Sequence, residues 1–179
     1  MPLAGHPMIA EEQGFLRLPN MPANRVPVRV GVLLPFSNGS AATRALASAM
    51  LKSAELALFD AGNPDILLVT ADEGSTPDSA AAGARTLLAK GAAIIIGPLF
   101  SPSVTAVAPI ARDRGVPVIA FSSDRNVAGP GVYLLSFQPE NEVKRIISYA
   151  ASQGHSSFSA LIPNNAYGDH IAAPFQIGR

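Results

Sequence analysis

The stretch that decides the fold runs from residue 94 to residue 124 and reads IIIGPLFSPSVTAVAPIARDRGVPVIAFSSD. It starts on a short β-branched run that is typical of a buried strand. Ser101 and Pro102 then predict the start of a helix, with the serine as N-cap and the proline at the first position. A second apolar run, from Val116 to Phe121, predicts the next strand. One strand–helix–strand unit therefore fills this stretch, and it ends on three polar residues.

The same alternation extends outward in both directions, from Val28 to Ile162. Strands connected through helices by short loops predict an α/β fold, in which a parallel sheet is flanked by helices on both faces in three αβα layers. Residues 1–27 hold five prolines and little periodicity, which predicts a Pro-rich tail or linker that is ordered only by docking on the domain. The predicted strands are 28–34, 66–71, 93–96, 116–121, 132–137 and 158–162, and the predicted helices are 41–61, 77–90, 101–114 and 139–153.

Composition excludes several classes of protein. The 179 residues carry 13 Lys plus Arg and 13 Asp plus Glu, and a nucleic-acid binder usually shows a basic excess. The absence of cysteine excludes disulfides, thiolate metal sites and cysteine nucleophiles. No nucleotide-binding or nucleophile motif follows a strand, and the three histidines lack metal-ligand spacing. We therefore expect no enzyme, no cofactor and no metal. The N-terminal residues also lack the basic start and apolar core of a signal peptide.

Candidate binding residues follow the predicted strands, because parallel α/β sheets bind ligands beyond the carboxyl ends of their strands and at helix N-termini. Ser101 combines a hydroxyl with helix N–H groups that suit an anion, but it could also serve only as a cap, which is a common role of serine. The turn after the next strand could bind a ligand head group or be a plain polar turn. Asp72 and Glu73 are interpreted as a solvated turn rather than as a metal site. The candidates in these loops are Phe36, Ser37, Ser101, Ser122, Ser123 and Asp124.

Several segments together resemble the type I periplasmic-binding-protein family, in its leucine/isoleucine/valine branch. They include VRVGVLLPFS (28–37), the stretch from residue 71 to residue 124, and FSALIPNNAYGD (158–169). Within that branch, AFSSDRNVAGPGVYLLSF (120–137) is similar to penicillin-binding-protein activators, which regulate cell-wall synthesis. The resemblance implies a flavodoxin-like first lobe at 28–138 and the incomplete start of a second lobe at 139–179.

The resemblance also implies two alternative functions. The first is a non-catalytic periplasmic solute-binding protein that binds an amino acid or amide for ABC-type transport or sensing, with a transporter permease as partner. The second is an activator that keeps the fold without a working pocket, with a penicillin-binding protein as partner and a lipid anchor in the full-length protein. Tyr167 matches an aromatic of the second lobe that covers the ligand, whereas Leu46 or Ala47 stands where the first-lobe aromatic is expected. A homodimer is a further expectation.

Overall fold

Six strands form one sheet in the structure, a computed structural model that describes residues 26–164 together with residues 15, 16, 168, 171 and 172. Their order across the sheet is β1-β3-β2-β4-β5-β6. The first strand is antiparallel to its neighbour, and the other pairs are parallel. The strands are β1 (Phe15–Leu16), β2 (Val28–Leu34), β3 (Ile66–Asp72), β4 (Ala92–Ile96), β5 (Val118–Ala120) and β6 (Val132–Leu134).

Four α-helices are present in the described part of the chain. They are α1 (Ala41–Ala61), α2 (Pro77–Ala89), α3 (Ser101–Arg112) and α4 (Pro139–Ser152), and a short 3-10 turn covers Arg125–Val127. The first helix begins after Ser40, whose hydroxyl accepts a hydrogen bond from the backbone N–H of Thr43. It ends at Gly62, which takes the left-handed conformation (φ 59°) that favours glycine at this position. Local signals therefore account for both ends of α1.

The core lies on both faces of the sheet. Helices α2 and α3 cover one face, and α1 covers the other. Successive residues of the central strand β2 point to opposite faces: Leu33 packs under α2 and α3, whereas Val32 and Leu34 pack under α1. Each aliphatic side chain buried in this way stabilises the fold by about 1.5–3 kcal/mol. The expected three-layer αβα architecture is confirmed.

Two predicted strands are shorter than the sequence suggests, and one is absent. The fourth predicted strand narrows to β5, where Pro117 has no N–H to donate. The fifth narrows to β6, beyond which Phe137 is 88% exposed. The prediction of a strand at 158–162 is wrong, since this described segment has no strand structure and Leu161 is fully exposed. No described strand lies beside it to complete a ladder of backbone hydrogen bonds.

The expected tail contributes one element to the sheet. Phe15 and Leu16 form β1 and pair with Val69 and Leu68 of β3. An antiparallel edge strand from this segment was not predicted, because two residues between prolines carry no periodic signal. The parallel part of the sheet that positions the candidate site is unaffected by it.

Candidate functional site

The candidate site lies at the carboxyl ends of the strands, next to the central strand β2. From β2 the chain goes to β3 on one side, and it then crosses to β4 on the other side. Because α1 and α3, the helices that follow β2 and β4, lie on opposite faces, the loops after these two strands diverge at this point. Such a topological switch point is where open α/β sheets bind ligands. We call the edge between loop 35–40 and loop 97–101, together with the adjoining loop 121–124, the crevice.

Ser101 and Ser122 come together at the crevice. Their hydroxyl oxygens are 2.7 Å apart, although they follow different strands, β4 and β5. Ser122 is 3% exposed and also accepts a hydrogen bond from the backbone N–H of Asp124 at 3.1 Å. Ser101 is only half-buried. A hydroxyl both donates and accepts, so this pair can donate to a ligand oxygen or accept from a ligand N–H by rotating its hydrogens.

The prediction that Ser101 caps α3 is wrong. The N-cap residue is Phe100, whose side chain makes no capping hydrogen bond, and Ser101 is the first residue of the helix. Its hydroxyl contacts Ser122 instead of the helix backbone. Since Pro102 has no N–H, the backbone donors of the first turn are those of Ser101 and Ser103.

Ser123 and Asp124 are half-buried beside this pair. The Asp124 carboxylate accepts a hydrogen bond from the backbone N–H of Asn126 at 2.9 Å and caps the 3-10 turn. Asp124 therefore has a structural role in the loop in addition to any contact with a ligand.

Phe36 and Ser37 lie on the other side of the crevice. The Phe36 side chain packs against the core under α1, as does Phe121. The backbone N–H of Ser37 donates to Asp72 Oδ1 at 3.1 Å, and its hydroxyl donates to Asp72 Oδ2. Both donors of Ser37 thus have a partner within the protein. Tyr167, the remaining candidate, lies outside the described residues.

The pKa of Asp72, which bonds Ser37, is shifted from its usual value. Partial burial alone would raise the pKa of Asp72, but hydrogen bonds outweigh it and lower the pKa below its usual value. They come from the Ser37 hydroxyl and from the backbone N–H groups of Gly74, Ser37 and Phe36. Each of them favours the ionised carboxylate. Asp72 therefore holds loop 35–40 as an anion.

Glu73 is the residue that sequence reasoning missed. It was interpreted as part of a solvated turn, but it is 0% exposed. Its carboxylate accepts hydrogen bonds from the backbone N–H groups of Leu99, at 2.8 Å, and Phe100, at 3.2 Å, and from the Ser103 hydroxyl. Burial raises the pKa of Glu73, and these bonds only partly offset that effect. No local signal pointed to this role, because the serine before a proline at 101–102 predicted a helix start with its own cap.

A chain of hydrogen bonds leads from the hydroxyl pair to the start of α4. The Ser136 hydroxyl donates to the carbonyl oxygen of Ser122 at 2.8 Å. The Gln138 side-chain amide donates to Ser136 Oγ at 3.0 Å, and Gln138 is the N-cap residue of α4. The crevice is thus connected to the segment where the second lobe was predicted to begin.

The described residues offer neither a cluster of metal ligands nor a membrane-spanning helix. There, no three His, Cys, Asp or Glu side chains lie close enough to hold a metal ion. Among the same residues, no helix combines the length and apolar character required to span a bilayer.

A parallel α/β lobe with polar side chains at its switch point defines a class of small-molecule-binding proteins. Comparison with known families identifies the particular one. A model of the periplasmic binding protein family matches residues 27–176, and the chain belongs to that family. An uncharacterised protein of Rickettsia prowazekii (strain Madrid E) is 27% identical over 108 residues, which cover 60% of this chain and 29% of that protein.

Solved structures share the fold. The solute-binding protein of an ABC transporter from R. palustris, in complex with 4-hydroxybenzoate, superposes with a TM-score of 0.70 at 19% identity, over 85% of this chain and 43% of that one. The branched-chain amino acid substrate-binding protein LivJ from Streptococcus pneumoniae, in complex with isoleucine, gives 0.64 at 21% identity, over 85% and 46%. The expected fold, a lobe of a type I periplasmic binding protein, is confirmed. The chain spans less than half the length of these relatives.

Proposed function

We propose that the protein binds a small polar solute at the crevice and serves ABC-type transport or sensing in the periplasm, without catalysis. The observation that carries this proposal is the pair of hydroxyls on Ser101 and Ser122, 2.7 Å apart at the topological switch point. Family membership and solved relatives that hold 4-hydroxybenzoate or isoleucine support it. We propose an amino acid, an amide or a similar small molecule as the ligand.

The chemistry of the crevice suits a ligand with a polar head group. The two hydroxyls can donate to a carboxylate or carbonyl oxygen, and the first-turn N–H groups of Ser101 and Ser103 add donors at the positive end of α3. Ser123 and Asp124 lie beside them and provide acceptors for an ammonium or amide N–H. A few placed polar groups of this kind are what orients ligands in small-molecule sites.

We further propose that residues 139–179 begin a second lobe that closes over the ligand. Helix α4 starts at the residue that bonds Ser136, and few of its side chains are buried against the first lobe. In this proposal Tyr167 covers the ligand, closure excludes water, and the closed form presents a new surface to a membrane permease.

A second candidate function is the activator of cell-wall synthesis, which uses the same fold without a working pocket. The observation that favours it is that the donors of Ser37, the Asp124 carboxylate and two N–H groups before α3 already have partners inside the protein. Polar groups that already bond within the protein do not need a ligand as their partner. In this case the partner is a penicillin-binding protein, and the full-length protein carries a lipid anchor. A homodimer is proposed under either function.

Calorimetric titration of the full-length protein separates the two candidates. We expect saturable binding of at least one member of a panel of leucine, isoleucine, benzoate and 4-hydroxybenzoate. The absence of binding across the panel, together with capture of a purified penicillin-binding protein, would replace the transport proposal with the activator.

A further inference from the structure

Helix α3 begins without a cap of its own. Its N-cap residue, Phe100, makes no side-chain hydrogen bond, and its first turn contains no acidic residue. The N–H groups at a helix start have no acceptor within the helix, and they carry a partial positive charge. The donors at this start therefore need an acceptor from outside the helix.

Glu73 meets this requirement from a different loop. Its two carboxylate oxygens are divided between two donors: Oε2 accepts from the N–H of Leu99, and Oε1 accepts from the N–H of Phe100. The Ser103 hydroxyl, one turn into α3, bonds the same carboxylate. Hydrogen bonds from N–H groups at the positive end of a helix favour the ionised carboxylate and offset part of the cost of burying it.

The backbone of Glu73 is held as firmly as its side chain. Its N–H donates to the carbonyl oxygen of Leu34 at 2.8 Å, at the end of β2. Its carbonyl oxygen accepts from the Ser79 hydroxyl at 2.7 Å, in the first turn of α2. Glu73 thus connects the loop after β3, across the end of β2, to the loop after β4.

We infer that Glu73 is the positioning residue of the crevice: it caps α3 from the loop after β3 and thereby holds Ser101 against Ser122. Ser101 directly follows Phe100, so a fixed Phe100 N–H fixes where the Ser101 hydroxyl lies. The expected effect of Glu73 on ligand binding rests on the proposed function, but its contacts with Leu99 and Phe100 do not depend on a ligand.

The contacts of Glu73 limit the kind of ligand head group that the start of α3 can bind. The N–H groups of Leu99 and Phe100 already bind a carboxylate of the protein and are closed to an anionic ligand. The head group of the ligand is then recognised by the hydroxyls of Ser101 and Ser122 and by the remaining first-turn donors.

Amide hydrogen exchange of the full-length protein tests this role without any ligand. Glu73→Gln keeps the size of the side chain but offers one acceptor oxygen to two N–H groups, so at least one of the amides of Leu99 and Phe100 loses its partner. We expect that amide to exchange about three- to tenfold faster relative to the core amides of β2 in the same sample. Glu73→Asp, which keeps the charge, should restore part of the protection.

Asp78→Asn is the matched control, because it removes an exposed carboxylate from the first turn of α2. We expect it to leave exchange at Leu99 and Phe100 unchanged. Wild-type exchange at both amides in Glu73→Gln, or equal acceleration in the control, would overturn the positioning role. If Glu73→Gln does not fold, amide exchange is measured in Glu73→Asp instead. The shorter aspartate side chain cannot reach both donors as glutamate does, so full wild-type protection in this variant would contradict the positioning role.

Titration with isoleucine and 4-hydroxybenzoate separates this inference from the proposed function. If a probe binds, Glu73→Gln should weaken its affinity, and an unchanged affinity contradicts the positioning role. If neither probe binds the wild-type protein, the solute proposal fails for these probes while the exchange result still decides the role of Glu73.

Discussion

Helices α2 and α3 begin at the same edge of the sheet, but their first turns are stabilised differently. At α2 the Thr76 hydroxyl accepts from the N–H of Ser79, and the Ser79 hydroxyl accepts from the N–H of Thr76, each at 3.1 Å. At α3 the acceptor is Glu73, which lies 26 residues before Leu99. A local cap stabilises only its own helix, whereas a distant cap ties two loops together. The loop before α3 is therefore tied to the loop after β3, whereas the start of α2 is held mainly by its own residues.

The largest disturbance of the α3 side is expected from Gly97→Ala. Gly97 has φ 101°, and an added Cβ would lie 1.9 Å from the carbonyl oxygen of Leu33. Backbone strain and overpacking together should lower the free energy of unfolding by about 3–5 kcal/mol, measured by chemical denaturation.

Gly62→Ala is the matched control for this variant. Gly62 also has a positive φ, of 59°, but no atom lies within 4 Å of an added Cβ. Only the cost of the left-handed backbone conformation remains, about 1–2 kcal/mol. Equal losses in the two variants would contradict the close approach of loop 97–101 to β2.

The next largest loss of stability is expected when the acceptor at the start of α3 is removed, and it can be compared with removal of the local cap of α2. Glu73→Ala removes the acceptor of two part-buried N–H groups and empties the buried site of the Glu73 side chain, which should cost about 2–3 kcal/mol. Thr76→Ala removes a local, exposed cap and should cost about 1 kcal/mol. Thermal or chemical unfolding measures both, and a greater loss in Thr76→Ala would reverse the comparison.

The smallest effect is a difference in pH dependence between the neighbouring acids Asp72 and Glu73. The raised pKa of Glu73 means that its contribution to stability is full below its unfolded pKa and is lost as pH rises through its folded pKa. The lowered pKa of Asp72 gives the opposite sign, so its contribution is present above its unfolded pKa and is lost as pH falls through its folded pKa.

Unfolding free energies measured over a pH series check both signs. Glu73→Gln should remove the decline that begins above about pH 4–5, and Asp72→Asn should remove the loss that begins below about pH 4. A Glu73→Gln profile that falls as steeply as wild type above pH 5 would show that burial does not raise the pKa of this carboxyl.

The contrast between the local cap of α2 and the distant cap of α3 explains which features could be predicted from the sequence. The bounds of β2 and α1 and the start of α2 follow from local signals: a β-branched run, Ser40 with Gly62, and Thr76 with Pro77. The approach of Ser101 to Ser122 follows from the rule that parallel strands present their carboxyl ends at one edge. These features depend on few residues at short range.

The start of α3 could not be predicted in this way. A serine before a proline is a common N-cap pattern, but the tertiary contact with Glu73 satisfies the N–H groups and leaves Ser101 to bond Ser122. The partners of Ser37 and Asp124 likewise depend on loop conformations that no spacing encodes. The errors at the crevice concern contacts made by loops, whereas the unpredicted strand β1 and the wrongly predicted strand at 158–162 lie elsewhere.

The affinity of the full-length protein for the best-binding member of the panel, measured in Ser101→Ala and Ser122→Ala, tests most directly whether the crevice binds the solute. Each variant removes one hydroxyl of the pair and should weaken binding about tenfold. Ser48→Ala, which removes an exposed hydroxyl from α1, should leave the affinity unchanged. Wild-type affinity in both Ser101→Ala and Ser122→Ala would contradict a solute site at this edge of the sheet.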